Sequence, residues 1–143
     1  MPRVTQLVIT MENKPGNLAQ ICSELAKVAV NISAIMATTE GTVGQVRIVA
    51  TPLPAAKKVL DSLKMSYDEQ DAVAIHVTDR PGALGRATRK LADAGINIHY
   101  VYSFLKRPEG KAALALNIED ADVASQSLCT HGFKVLTQRD ISR

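Results

Sequence analysis

Aromatic residues are scarce in this chain of 143 residues. Tryptophan is absent, and phenylalanine and tyrosine together make up only 3% of the sequence. Hydrophobic residues nevertheless account for 46% of the composition and charged residues for 22%, as is usual for a globular protein. Because the chain has few rings to bury, its core is predicted to consist of valine, isoleucine, leucine and alanine.

Cysteine is also rare, with two residues, Cys22 and Cys129, far apart in the sequence. Neither belongs to a CxxC pair or to a cysteine and histidine spacing typical of a metal site. Both fall in helix-like patterns, so we predict buried free thiols in a reducing compartment. No metal ion and no cofactor are expected.

Long apolar runs are missing as well. No segment approaches the 18 apolar residues that indicate a membrane-spanning helix, and residues 1–7 lack the apolar stretch of a secretion signal. The net charge is +3, with lysine and arginine interspersed among aspartate and glutamate rather than gathered on one segment. These features predict a cytoplasmic protein that does not interact with membranes.

Catalytic motifs are not found. The sequence contains no HExxH, GxSxG or phosphate-binding glycine loop, and its three histidines, at positions 76, 99 and 131, form no recognisable nucleophile arrangement. The chain is therefore not expected to be an enzyme, and no catalytic residue is assigned.

An internal repeat organises the sequence. A shift of 66 residues without gaps places residues 9–44 on residues 75–110 with nine identities over 36 positions, including Pro15-Gly16 on Pro81-Gly82 and Asn31-Ile32 on Asn97-Ile98. We therefore predict two copies of one unit, as domains 1–70 and 71–143.

Each copy has the same order of predicted elements. In the first, strands are predicted at residues 4–11, 30–38, 45–50 and 64–68, with helices that begin near Asn17, the predicted N-cap, and near Pro54. In the second, strands are predicted at residues 72–77, 96–105, 111–118 and 133–138, with helices at 83–94, followed by a capping Gly95, and at 120–130. The fold class is α+β, with two ferredoxin-like βαββαβ domains whose antiparallel sheets pack together.

RNA-recognition motifs have the same element order, but they stack bases on aromatic side chains of the central strands. The predicted third strands, residues 45–50 and 111–117, contain no aromatic residue. The sequence therefore argues against a nucleic-acid partner.

The Pro-Gly pairs stand where a strand leads into a helix. Glycine allows close approach to the first amide groups of the helix, and these unpaired donors and the helix dipole attract a carboxylate. Asn13 or Asp79, two residues before the proline, can accept a hydrogen bond from an ammonium group. Both ends of an α-amino acid could thus be bound, although Pro-Gly is also common in ordinary turns.

The segments 13–18 with 30–32, and 79–84 with 95–98, resemble the motif of ACT domains, the regulatory domains of amino-acid biosynthetic enzymes. The resemblance covers essentially the whole chain. The second copy, in particular, resembles small tandem-ACT proteins without a catalytic domain. It implies that a ligand lies between paired domains, held by the Pro-Gly loop of one and the second strand of the other. The implied ligand-binding residues are Asn13, Gly16, Asn17 and Leu18 with Asn97, Ile98, Tyr100 and Tyr102, and reciprocally Asp79, Gly82, Ala83 and Leu84 with Asn31 and Ile32.

Two functions remain open at this stage. The first is a non-catalytic sensor that binds a free amino acid and reports to a partner enzyme or regulator, as a homodimer. The alternative is a partner-binding or assembly subunit without a small ligand. Some serine-binding ACT domains have a histidine four residues before the proline, where this chain has Met11 and Val77. The amino acid, the number of occupied sites and the partner are not specified by the sequence.

Overall fold

The computed structural model describes residues 3–142, which alternate between strands and helices in the predicted order. The first repeat contains β1 (Val4–Glu12), α1 (Asn17–Lys27), β2 (Asn31–Glu40), β3 (Val43–Thr51), α2 (Leu53–Ser62) and the first half of β4 (Ser66–His76). The second contains the rest of β4, then α3 (Ala83–Asp93), β5 (Ile98–Ser103), a 3-10 turn (Pro108–Gly110), β6 (Ala113–Ile118), α4 (Ala121–Thr130), β7 (Val135–Leu136) and α5 (Gln138–Ile141). The α+β class with two βαββαβ units is confirmed.

The described residues group into two compact units. One is Gln6–Gln70, and the other combines residues 3–5 with residues 71–142. Arg3 holds the first residues to the second unit, since its guanidinium is 3.0 Å from the Asp71 carboxylate and also contacts Asp122.

In the unit Gln6–Gln70, β3 lies between β1 and β2 and is antiparallel to both. The strands β2 and β3 are joined by a tight turn at Gly41 and Thr42, because Glu40 pairs directly with Val43. Helices α1 and α2 bury Ile21, Leu25 and Leu60 against the inward-facing residues of the strands. The core is aliphatic, as predicted.

In the second unit, β6 lies between β4 and β5, and β7 pairs with the other side of β4. All of these pairings are antiparallel, which gives the strand arrangement of a ferredoxin-like sheet. Helices α3 and α4 bury Leu91 and Leu128 in a second core. Gly95 follows α3 with a φ of +73°, the left-handed conformation expected at the end of a helix.

Several predicted details were wrong. The strands predicted at 64–68 and 72–77 are one continuous strand, β4, because no glycine or proline interrupts residues 66–76. The last strand is only two residues long, and α5 follows it, started by a capping box between Thr137 and Asp140 that ends the strand. Cys22 is half-buried and Cys129 is exposed, so neither thiol is fully buried.

Candidate functional site

The loop between β1 and α1 is held by backbone and side-chain hydrogen bonds. The Asn13 amide donates to the Thr42 carbonyl at 2.8 Å, and Asn17 Nδ2 donates to the Glu12 carbonyl at 2.8 Å. Asn17 was predicted to be the N-cap, but Gly16 occupies that position with a φ of +90°. The Asn17 side chain cannot cap the helix because it is bound to the end of β1.

This arrangement leaves the start of α1 uncapped. No side chain bonds to its first amides, and its first turn contains no acidic residue. Within residues 3–142, the amides of Leu18 and Ala19 have no hydrogen-bond acceptor, whereas the next amide, that of Gln20, donates to the Gly16 carbonyl at 2.9 Å. A Cβ built on Gly16 would meet no heavy atom within 4 Å, so the surroundings of the N-cap are open. Such a helix start favours an anionic group.

A cavity of about 110 Å³ adjoins this loop within the unit Gln6–Gln70. Three predicted site residues, Asn13, Asn17 and Leu18, line it together with the end of β2 at residues 37–39. Leu18 remains 37% exposed although it belongs to the apolar stripe of α1. The structure therefore brings together a polar loop, free amides and an exposed leucine.

Asn31 and Ile32 lie elsewhere in the same unit. They begin β2, where Asn31 pairs with Thr51, whereas the Pro-Gly loop adjoins the other end of that strand. Ten residues of extended strand separate the two ends by about 30 Å. The loop and the strand start of this unit cannot hold the same small ligand.

The loop before α3 repeats the geometry of the first. Gly82 is the N-cap of α3 with a φ of +87°, no side chain caps the helix, and the first turn has no acidic residue. The Leu84 and Gly85 amides have no acceptor in the part of the chain that the structure describes. Ala83 is buried, while Leu84 is 46% exposed.

Asp79, which corresponds to Asn13 of the first repeat, has a partner. Arg107 Nη2 lies 3.3 Å from Asp79 Oδ2, and both side chains are more than half exposed. The carboxylate keeps further acceptor positions, because a carboxylate can accept about four hydrogen bonds. It thus remains accessible to an ammonium group.

The predicted residues around β5 divide into exposed and packed ones. Asn97 precedes the strand, is exposed and donates to the Glu119 carboxylate at 3.3 Å. Ile98 is half-buried beside the second core. Tyr100 and Tyr102 stack with ring centroids 6.2 Å apart, and Tyr102 is only 8% exposed. Its ring is largely occupied by packing.

A larger cavity that the sequence did not reveal lies in the second unit. It has a volume of about 550 Å³ and is formed by the end of β4, the segment between β5 and β6, and the turn after α4. Its lining includes four cationic side chains, Arg86, Arg107, Lys111 and Lys134. They come from three segments: Arg86 from α3, Arg107 and Lys111 from the segment between β5 and β6, and Lys134 from the turn after α4.

His76 lines this cavity, and Glu109 contacts two of its lining side chains, His76 and Lys134. Lys134 Nζ is 2.7 Å from Glu109 Oε1, and this hydrogen bond holds the pKa of the Glu109 carboxyl below its ordinary value, so that it stays ionised at neutral pH. His76 Nε2 is 3.5 Å from the same oxygen, longer than an ordinary hydrogen bond. The His76 side chain is 8% exposed, and its Nδ1 has no hydrogen-bond partner among the described residues.

The chain belongs to the ACT domain pair family, which matches residues 2–143. It is similar to a protein of Bacteroides thetaiotaomicron of known structure, with 27% identity, a TM-score of 0.89 and coverage of 99% of this chain and 96% of that one. The regulatory subunit of aspartate kinase from Thermus thermophilus, in a ligand-free form, shares the fold at 15% identity and a TM-score of 0.60, with coverage of 88% and 90%. The aspartokinase alpha and beta subunits share it at 20% identity and a TM-score of 0.53, with coverage of 91% and 96%. No curated protein sequence matches the chain.

Within residues 3–142, none of the helices has the length and apolar character needed to cross a membrane. Among these described residues, no three or more histidine, cysteine, aspartate or glutamate side chains form a group that could hold a metal ion.

Proposed function

We propose that the chain is a non-catalytic sensor module that binds a free α-amino acid at the Pro-Gly starts of α1 and α3. The observation that carries this proposal is the state of both helix starts. Each has a left-handed glycine as N-cap, unpartnered amides among the described residues, and no acidic residue in its first turn. Two helices of one chain share a geometry that favours a carboxylate.

In this proposal the α-carboxylate accepts hydrogen bonds from the amides after Gly16 or Gly82. The ammonium group donates to Asn13 Oδ1 in the first loop or to the Asp79 carboxylate in the second. Leu18 and Leu84, both exposed beside these amides, contact the ligand side chain. Because Asp79 is charged and Asn13 is neutral, the second loop is expected to bind the ammonium group more strongly.

We propose that the remaining ligand contacts come from another ACT domain. Domains 1–70 and 71–143 would each supply a Pro-Gly loop and the start of a second strand, with Asn31 and Ile32 in one and Asn97, Ile98, Tyr100 and Tyr102 in the other. The distance between the loop and the strand start within Gln6–Gln70 supports this, since one unit cannot supply both. The facing domain would belong to the same chain or to the second chain of a homodimer.

A ligand shared between domains would favour one arrangement of those domains, and this change would be read by a partner enzyme or regulator in the cytoplasm. The Thermus thermophilus protein of the same fold is itself a regulatory subunit, of aspartate kinase.

The assembly subunit is the second candidate, because Val101 is 37% exposed on β5 and Leu105, two residues after that strand, is 68% exposed. Exposed apolar residues of this kind are typical of protein interfaces when they form a continuous patch.

The test is a thermal unfolding series with each of the twenty amino acids at millimolar concentration. A ligand that binds only the folded state stabilises it by about 2.7 kcal/mol at a hundredfold excess over its dissociation constant. For a chain of this size we expect the midpoint to rise by several degrees with one chemical class of amino acid. If no amino acid raises the midpoint, the sensor proposal fails and the assembly subunit is favoured.

A further inference from the structure

The cavity of about 550 Å³ in the second unit has more positive than negative charge. Of its four cationic side chains, Arg107 pairs with Asp79 and Lys134 pairs with Glu109. Arg86 and Lys111 line the same cavity and have no carboxylate within 4.0 Å among residues 3–142. Two positive charges are thus left to be balanced from solution or by a ligand.

The fold does not require this charge, as the first repeat demonstrates. A cavity of about 470 Å³ lies at the corresponding place in the unit Gln6–Gln70, lined by residues 10–14, 42 and 43. Its only charged side chains, Glu12 and Lys14, pair with each other at 2.7 Å. In the register of the repeat, Thr10 replaces His76 and Gln20 replaces Arg86. Both cavities adjoin the end of the first strand of their repeat, and the excess of positive charge is specific to the second.

His76 supplies an independent observation. It lines the cavity and is more than nine-tenths buried; its Nδ1 makes no hydrogen bond within the described part of the chain, and its Nε2 has only the 3.5 Å contact with Glu109 Oε1. Burying a polar side chain without a hydrogen bond costs free energy, and a buried group without a partner is unusual in folded proteins. Glu109, whose carboxylate lies nearest to the ring, stands in a left-handed backbone conformation with a φ of +56°. An imidazole in this setting gains a hydrogen bond if an oxyanion enters the cavity and the Glu109 side chain moves.

We propose that this cavity is a second ligand site, which binds a small metabolite that carries a phosphate group. Arginine and lysine are the side chains that bind phosphate oxygens most strongly, arginine through two parallel hydrogen bonds. The volume lies within the range of about 300–1,000 Å³ that is typical of small-molecule sites, so it has room for more than the phosphate itself. The site uses Arg86, Lys111 and His76. Asp79, the proposed ammonium acceptor, also lines this cavity, so the phosphate would lie beside the amino-acid site of the second loop without using its residues.

The test measures the binding of inorganic phosphate to the full chain by calorimetry, at ionic strength held constant with sodium chloride. We expect saturable binding that is weakened at least about tenfold in the double variant Arg86→Gln, Lys111→Gln, since both side chains donate charge-assisted hydrogen bonds. The matched control is Lys90→Gln, which removes one charge from the same helix, outside the cavity lining. The Lys90→Gln variant should bind phosphate as tightly as the unaltered chain does.

Three results would overturn the proposal. The first is no phosphate binding above the sodium chloride background. The second is a double variant that binds phosphate as tightly as the unaltered chain, and the third is a Lys90 variant that loses as much phosphate affinity as the double variant. A parallel titration with succinate separates phosphate from carboxylate ligands, and succinate binding as tight as phosphate binding would contradict the phosphate assignment. Circular dichroism of each variant checks folding, which exposed Arg86 and Lys111 should not affect. The same variants are also titrated with the amino acid, and their amino-acid affinity should be unchanged. A failure of the phosphate proposal can thus be distinguished from a failure of the sensor proposal.

Discussion

The double variant Gly16→Ala, Gly82→Ala is expected to bind its amino acid at least about tenfold more weakly than the unaltered chain. Both glycines have a left-handed φ, +90° and +87°, which an alanine adopts only at a cost of about 1–2 kcal/mol. The added methyl groups also project into the open space where the ligand carboxylate would approach. Loss of one charge-assisted hydrogen bond, worth about 1.5–3 kcal/mol, is enough for the predicted change. Calorimetric titration with the amino acid found in the unfolding series measures it.

Gly132→Ala is the matched control for this prediction. Gly132 also has a left-handed φ, +85°, and a Cβ added there would meet nothing within 4 Å. The substitution therefore carries a similar backbone cost after α4, away from both helix starts. We expect lower stability with unchanged affinity. Equal loss of affinity in the control, or full affinity in the double variant, would show that the helix starts do not bind the ligand.

Leu91→Ala is expected to lower the free energy of unfolding by about 2–5 kcal/mol, because it leaves a cavity in the second core. Leu91 is completely buried. Leu84, seven residues earlier on the same helix, is 46% exposed, and Leu84→Ala should lower the free energy of unfolding much less. Urea unfolding of the two variants compares the same substitution on one helix in two environments.

The first repeat offers the same comparison on α1, where Leu25 is completely buried and Leu18 is 37% exposed. We expect Leu25→Ala to destabilise the chain far more than Leu18→Ala does. In contrast, the Leu18 and Leu84 variants should weaken amino-acid binding without a comparable loss of stability. If the two alanine substitutions in one helix lower the free energy of unfolding equally, the exposed leucine has a structural role and its assignment as a ligand contact is wrong.

The repeat and the element order were predictable because they depend on local patterns. The identities around Pro15-Gly16 and Pro81-Gly82, and the apolar stripes that contain Leu25 and Leu91, are visible without any tertiary contact. The fold followed from them, since a βαββαβ order with aliphatic strands has few compact arrangements.

The boundaries of elements were less predictable where two local interactions competed. Asn17 has the side chain of a typical N-cap, yet it bonds to the Glu12 carbonyl, and Gly16 takes the cap position. Thr137 and Asp140 start α5 by a capping box where a strand was predicted. In each case a hydrogen bond of a polar side chain decided the outcome, and residue propensities do not report such bonds.

The basic cavity of the second unit could not be predicted, because its residues are distant in sequence. The backbone amide of His76 bonds to the Lys134 carbonyl, and that of Val77 bonds to the Ala112 carbonyl. These pairings bring the turn after α4 and the segment before β6 to the end of β4. Spacing along the chain gave no indication that Arg86, Lys111 and His76 line one cavity.

The most direct test of the sensor proposal is a two-dimensional nitrogen–proton NMR titration of the full chain with the stabilising amino acid. The proposal predicts saturable shifts of the amide signals of Leu18 and Ala19, of Leu84 and Gly85, or of both pairs, with Gly132 unaffected. Saturable shifts confined to other regions, or no shift with any amino acid, would contradict binding at the Pro-Gly helix starts.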